Sequence, residues 1–210
     1  MNPFPPRTLG RTGVQIPFIW RPIGERAVGN EAWCAVETGA ELLARRGDNV
    51  LIDQLAELWR TSCDLLVIQG IVSSDIKVGW PMHRLQQLRD RGLCKWFAIE
   101  VDAPLEAEWI AANAPVHAIV APFRAADMAI RFRAFDAAQN SGVAIVSRAS
   151  TIDELRLHLA TPQIAATITR LDTTVDPMPD DEVDRLWQEY CRTHPEPEKL
   201  RSGHPPDYGV

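Results

Sequence analysis

Cys63-Asp64-Leu65-Leu66-Val67-Ile68-Gln69-Gly70-Ile71 is a short apolar run that opens on an acidic residue and closes on a polar one. Uninterrupted hydrophobicity over this length, with helical patterns on both sides, is the signature of a parallel strand buried on both faces. In parallel α/β folds the carboxyl ends of the strands face the site, so Gln69 stands where chemistry is normally placed.

Working outward, the downstream chain alternates regularly. A helix from about Met82 to Arg91 is closed by Gly92, with Arg89 and Arg91 favourably placed in its last turn. Strands are expected at Lys95–Val101, Val116–Phe123, Val143–Ser147 and Ile164–Leu171, separated by helices at Leu105–Asn113, Ala126–Ser141 and Ile152–Ala160. A terminal helix follows at Asp180–Cys191, its first turn acidic. Upstream, Arg7–Ile16 reads as a small β-hairpin and Pro17–Trp20 as a first core strand. Arg21 to Asn30 reads as a loop. Asn30 then caps a helix to about Arg46, with Trp33, Val36, Ala40 and Leu43 on one face, and a second amphipathic helix spans Asn49 to Thr61.

The count is about six core parallel strands, so the expected fold is a reduced (β/α) TIM-type barrel preceded by an N-terminal β-hairpin. Its deficit falls between Trp20 and Asp64. Residues 1–192 form one domain in this reading, and 193–210 a Pro-rich extended tail.

With 210 residues and 46% hydrophobic content, the chain can bury a full core. A net charge of −6 argues against nucleic acid and against an anionic membrane surface as partners. No stretch approaches the roughly 20 apolar residues of a membrane span. Met1–Pro6 has neither a basic nor an apolar leader segment, which makes the cytoplasm the expected location. Four cysteines form no CxxC pair and sit near no histidine at zinc-ligand spacing. Cys63 and Cys94, at the starts of apolar runs, read as small buried hydrophobes. No metal site is expected. Of the five histidines, only His83 and His117 sit close to expected core elements.

Arg7-Thr8-Leu9-Gly10-Arg11-Thr12-Gly13 resembles the opening hairpin of the aldo/keto reductases, and Asp64–Gln69 resembles their fourth barrel strand. Leu85–Gly92 followed by Lys95-Trp96-Phe97-Ala98-Ile99 is similar to the family's passage into the fifth. Phe135–Val146 is similar to its approach to the seventh. The resemblance implies a carbonyl reductase using NADPH, with an Asp, Tyr, Lys and His tetrad. This chain departs from that pattern. Its tyrosines are Tyr190 and Tyr208, its lysines are Lys77, Lys95 and Lys199, and Gln69 replaces the histidine. Glu100-Val101-Asp102 stands where the family places Ser-Asn for the carboxamide, and Arg148 where an aromatic ring would stack on nicotinamide. The resemblance thus implies a catalytically impaired relative acting as a binding, regulatory or assembly subunit. No cofactor is expected, and NADP(H) only if reductase activity persists.

Arg21, Arg124, Arg148 and Arg170 fall at expected strand ends beside Glu100 and Asp102. Arginine forks match carboxylate and phosphate, so these four could hold a small anion. An alternative is therefore an enzyme with a rebuilt mouth, using Glu100, Asp102 or Gln69 on an anionic substrate. The other reading of the same residues is mutual pairing. A missing stretch of barrel would also leave an apolar surface near Trp33, Leu43, Leu55 and Trp59, to be covered by a second copy or a hetero-partner.

Overall fold

In the computed structural model, residues 4–23, 26–30, 33–126, 128–172 and 175–194 are described; for residues 21–23, 26–30 and 80 this extends to the backbone alone. A hairpin of β1 (Arg7–Thr8) and β2 (Gln15–Ile16) precedes a closed barrel of eight strands. These are β3 (Ile19–Ile23), β4 (Arg26–Asn30), β5 (Trp33–Gly39), β6 (Cys63–Gln69), β7 (Cys94–Glu100), β8 (Ala118–Val120), β9 (Ala144–Ala149) and β10 (Ile164–Thr169). They follow one another around the barrel in chain order, and β10 pairs with β3 to close it. β4 runs antiparallel to both its neighbours, while the other seven strands are parallel. The fold is thus a reduced TIM-type barrel with an N-terminal hairpin. Residues 195–210, most of the expected tail, lie outside the described residues.

The count of about six strands is corrected to seven parallel strands and one antiparallel strand. Residues 26–30, read as loop, form β4, and residues 33–39, read as the first half of a helix, form β5. The reason is physical. β5 is buried on both faces, so it shows no alternation, and Trp33, Val36, Ala40 and Leu43 fall at helical spacing across a strand–helix junction. Helix α1 (Ala40–Arg46) begins only after Gly39, and α2 (Asn49–Glu57) follows it. The remaining helices are α3 (Ser73–Val78), α4 (Trp80–Asp90), α5 (Pro104–Asn113), α6 (Ala129–Ser141), α7 (Ile152–Ala160) and α8 (Asp180–Thr193). α3 lies between the expected strand and the helix expected from Met82, where no element is assigned from the sequence.

Side chains along each strand alternate between two cores. The lumen core holds Trp33 and Ala35 of β5, Leu65 and Val67 of β6, Trp96 and Ala98 of β7, and Val146 of β9, with Trp20 of β3. Trp33 stands between Trp20 and Trp96, with ring centroids 5.7 and 6.0 Å away. Ala98, Ala118, Ala144 and Ala166 leave the room these three indoles occupy. Leu9 and Ile16 of the hairpin region, both fully buried, belong to the same core and plug the amino end of the barrel. Two contacts hold the plug in place. The Arg7 guanidinium donates to the carbonyls of Leu159 and Thr161 at 2.7 Å and Ile164 at 2.5 Å, capping the end of α7. Arg11 N donates to Gly142 O at 2.6 Å, and a Cβ on Gly10 (φ +47°) would fall 2.3 Å from that oxygen.

The outer core lies between strands and helices and takes Cys34, Val36, Leu66, Ile68, Phe97, Ile99 and Ile145 with the inner faces of the helices. Cys34, Cys63 and Cys94 are buried free thiols, and burial pushes the Cys94 pKa up to about 12. At the amino end of β6 the buried Asp64 accepts from Cys34 N at 2.9 Å and from Lys95 Nζ at 2.7 Å, tying β5, β6 and β7 together. Trp33, Leu43 and Leu55, expected near an exposed apolar surface, are instead 5%, 3% and 1% exposed. Trp59 alone of that set faces solvent, 96% exposed, in the left-handed position (φ 56°) that ends α2.

His158 corrects the reading that only His83 and His117 lie near the core. It is fully buried on α7, donating from Nε2 to Phe123 O at 2.6 Å, with Thr167 Oγ1 3.2 Å from Nδ1. Burial pushes its pKa down to about 4, so the folded protein keeps it neutral while the unfolded chain binds a proton. Stability contributed by neutral His158 is complete above pH ~6.5 and is lost as the pH falls toward 4. Urea titrations should therefore show about 2 kcal/mol lost between pH 6.5 and 5. That slope should flatten in His158→Asn, and an unchanged slope in the variant would contradict the assignment.

Candidate functional site

The alternation that packs the lumen also decides which side chains emerge at its carboxyl end. Two residues beyond Ala35, Val67, Ala98 and Val146 come Glu37, Gln69, Glu100 and Arg148. These four lie on β5, β6, β7 and β9 and meet above the tryptophan stack. Arg148 grips Glu100 with two bonds, Nε to Oε1 at 3.0 Å and Nη2 to Oε2 at 2.7 Å, and Nη2 also donates to Glu37 Oε1 at 3.0 Å. Gln69 Nε2 donates to Glu100 Oε2 at 2.8 Å. Side-chain exposure is 10% for Glu37, 19% for Glu100 and 37% for Arg148. Burial opposes the Arg148 charge, but its bonds to Glu100 and Glu37 outweigh that cost and push its pKa above the ordinary arginine value.

The other expected site residues do not converge on this point. Asp102 is exposed beyond β7. Arg124 points toward Glu154 at the start of α7, 4.0 Å away, with its side chain 64% exposed. Arg170 is exposed one residue past β10. Arg21 lies in β3, paired in register with Val28, and its side chain falls outside the described ones. Of the residues picked from sequence, the fold brings together Gln69, Glu100 and Arg148. Glu37 escapes the sequence reading because its segment has helical spacing. Once residues 33–39 are read as a strand, the two-residue step from Ala35 places it on the inward face, in register with Val67 of β6 and one inward position before Gln69.

Neither described tyrosine nor lysine chemistry reaches the mouth. Tyr190 is buried on α8, stacked between Trp187 and His194. Lys77 lies over the Trp109 ring on the helical layer, and Lys95 is at the opposite end of the barrel with Asp64. Among the described residues no group of His, Cys, Asp and Glu is arranged to hold a metal ion, and no helix is long and apolar enough to cross a membrane.

No protein-family model and no curated protein sequence matches the chain. Solved structures do. An aldo-keto reductase of Bacillus halodurans superposes with a TM-score of 0.58 in its holo form and 0.59 in its apo form, at 13% identity, over 73% of this chain and 70% of that one. The aldose reductase of Schistosoma japonicum gives 0.53 at 12% identity, over 75% and 68%. An aldo-keto reductase from a deep-sea metagenome of the Medee basin gives 0.54 at 10% identity, over 74% and 70%. The chain thus has the overall fold of the aldo-keto reductases on which it superposes, carried here on seven parallel strands and one antiparallel strand.

Proposed function

We propose that the protein is a non-catalytic aldo-keto reductase-like subunit that works by binding, in a regulatory or assembly role. The observation that carries this reading is the Arg148 clamp on Glu100 and Glu37, which commits the charged side chains at the mouth to one another. Two further features support it. The acid of reductase chemistry would be a tyrosine beside a lysine, and among the described residues Tyr190, Lys77 and Lys95 lie away from the mouth. The free cysteines accord with a reducing compartment such as the cytoplasm.

The residues present do not fit NADP(H). A dinucleotide diphosphate laid across the mouth would meet the carboxylates of Glu37, Glu100 and Asp102, with Arg148 already neutralised between two of them. Each charge-assisted bond a cofactor lacks typically costs about 1.5–3 kcal/mol. The test is NADPH consumption by the purified protein, followed by absorbance with a panel of aliphatic and aromatic aldehydes and ketones. The expected result is no rate above the protein-free background. A saturable rate that disappears in Glu100→Gln would overturn the reading.

A further inference from the structure

We propose that the barrel mouth is a docking face for a partner protein segment that carries a basic side chain between apolar ones. This deepens the binding reading above and rests on it. Exposed apolar side chains recur at one structural position. Leu42 in the first turn of α1, Val72 capping α3, Leu105 in the first turn of α5 and Ile152 opening α7 are 37–49% exposed. The four elements follow β5, β6, β7 and β9, the same strands that supply the charged centre, so one such side chain stands at each of those four strand-to-helix loops. Scattered surface leucines need no explanation, but a collar around one opening marks an interaction face.

Charge selects the occupant. Glu41, Asp102, Asp153 and Asp172 are exposed at the same end of the barrel, in a chain whose net charge is −6. The basic residues at that end are Arg45, 3.2 Å from Glu41, Arg124, 4.0 Å from Glu154, Arg156, 3.7 Å from Asp153, the exposed Arg170, and Arg148, held by its two carboxylates. Beside the clamp opens a cavity of about 600 Å³, lined by Glu37, Thr38, Glu41, Leu42, Arg45 and Gln69. The Thr38 residue is 3% exposed, and its hydroxyl has no hydrogen-bond partner among the described residues. A lysine or arginine of the partner fits this chemistry, its methylene stem along Leu42 and its charge toward the exposed Glu41, while its apolar neighbours cover the collar.

The experiment is a random-peptide display selection on the full-length protein, with a Leu42→Asp/Leu105→Asp/Ile152→Asp triple variant as counter-bait. All three side chains are at the surface. Enriched peptides should carry Lys or Arg next to Leu, Phe or Trp. A synthetic copy should bind at least tenfold more weakly to the triple variant, and equally well to Trp59→Ala at the far end of α2. Independently of any protein variant, changing the peptide's basic residue to Glu should abolish binding, and added salt should weaken it. Overturning results are no enrichment over the counter-bait, acidic consensus peptides (which would favour an anion site), or binding that Trp59→Ala removes. Self-association lost in the triple variant would make a second copy the occupant and also overturn the proposal. None of these bears on NADPH turnover, so failure of the docking site and failure of the non-catalytic reading are separable.

Discussion

Trp33→Ala should destabilise the protein by about 3–5 kcal/mol, the range expected when a buried indole is truncated. The indole is 5% exposed and is the middle ring of the Trp20–Trp33–Trp96 stack, so its removal leaves a void that neither neighbour can fill. Collapse is blocked from below as well, because the hairpin plug is fixed by Arg7 and by the close approach of Gly10 to Gly142. For a chain of this size the loss corresponds to a melting temperature lower by roughly 10 °C. Trp59→Ala supplies the internal comparison. At 96% exposure that indole buries almost nothing, and its removal should change stability by no more than about 0.5 kcal/mol. Urea denaturation of both variants measures the contrast, and comparable losses at the two sites would contradict the lumen packing.

Arg148→Ala should also destabilise the protein, because it leaves Glu37 and Glu100 facing each other with no cation between them. A fully buried pair broken this way costs about 3–5 kcal/mol. Arg148 is 37% exposed, so water will take up part of its role, and about 1–3 kcal/mol is expected. The sign of the coupling is the informative part. Adding Glu37→Gln and Glu100→Gln to Arg148→Ala should restore most of the loss, since two neutral amides need no counter-ion. A double-mutant cycle between Arg148 and Glu100 reads this directly. Additive losses, with no rescue by the amides, would show that the three side chains do not act as one network.

Most of the barrel is legible in the sequence because its later strands are short apolar runs bounded by glycine and by amphipathic helices. β6, β7, β9 and β10 lie within one or two residues of where the pattern sets them. β5 is not legible, for a reason specific to it. A strand packed on both faces loses the alternation that marks strands, and a helix that starts directly at Ala40 extends an accidental helical spacing back to Trp33. The same misreading hides Glu37, and it sends the tryptophan at 33 to an outer face when it belongs in the lumen. Gln69, Glu100 and Arg148 could be found from strand ends alone. Their mutual contact could not, because it depends on which strands are neighbours and on the inward parity of each. Arg124 and Arg170 show the limit of strand-end reasoning. Each sits one or more residues past the last inward position, where the chain has already turned toward a helix or the surface.

The most direct test of a mouth closed by its own side chains is a fluorescence titration of the purified protein with NADPH, run alongside Arg148→Ala. Access to the mouth and charge are then varied on one scaffold. The structure-based expectation is no saturable signal into the high micromolar range for either protein, since removing Arg148 opens space but leaves two carboxylates against the diphosphate. Saturable binding at micromolar NADPH or tighter by the unmodified protein would contradict it.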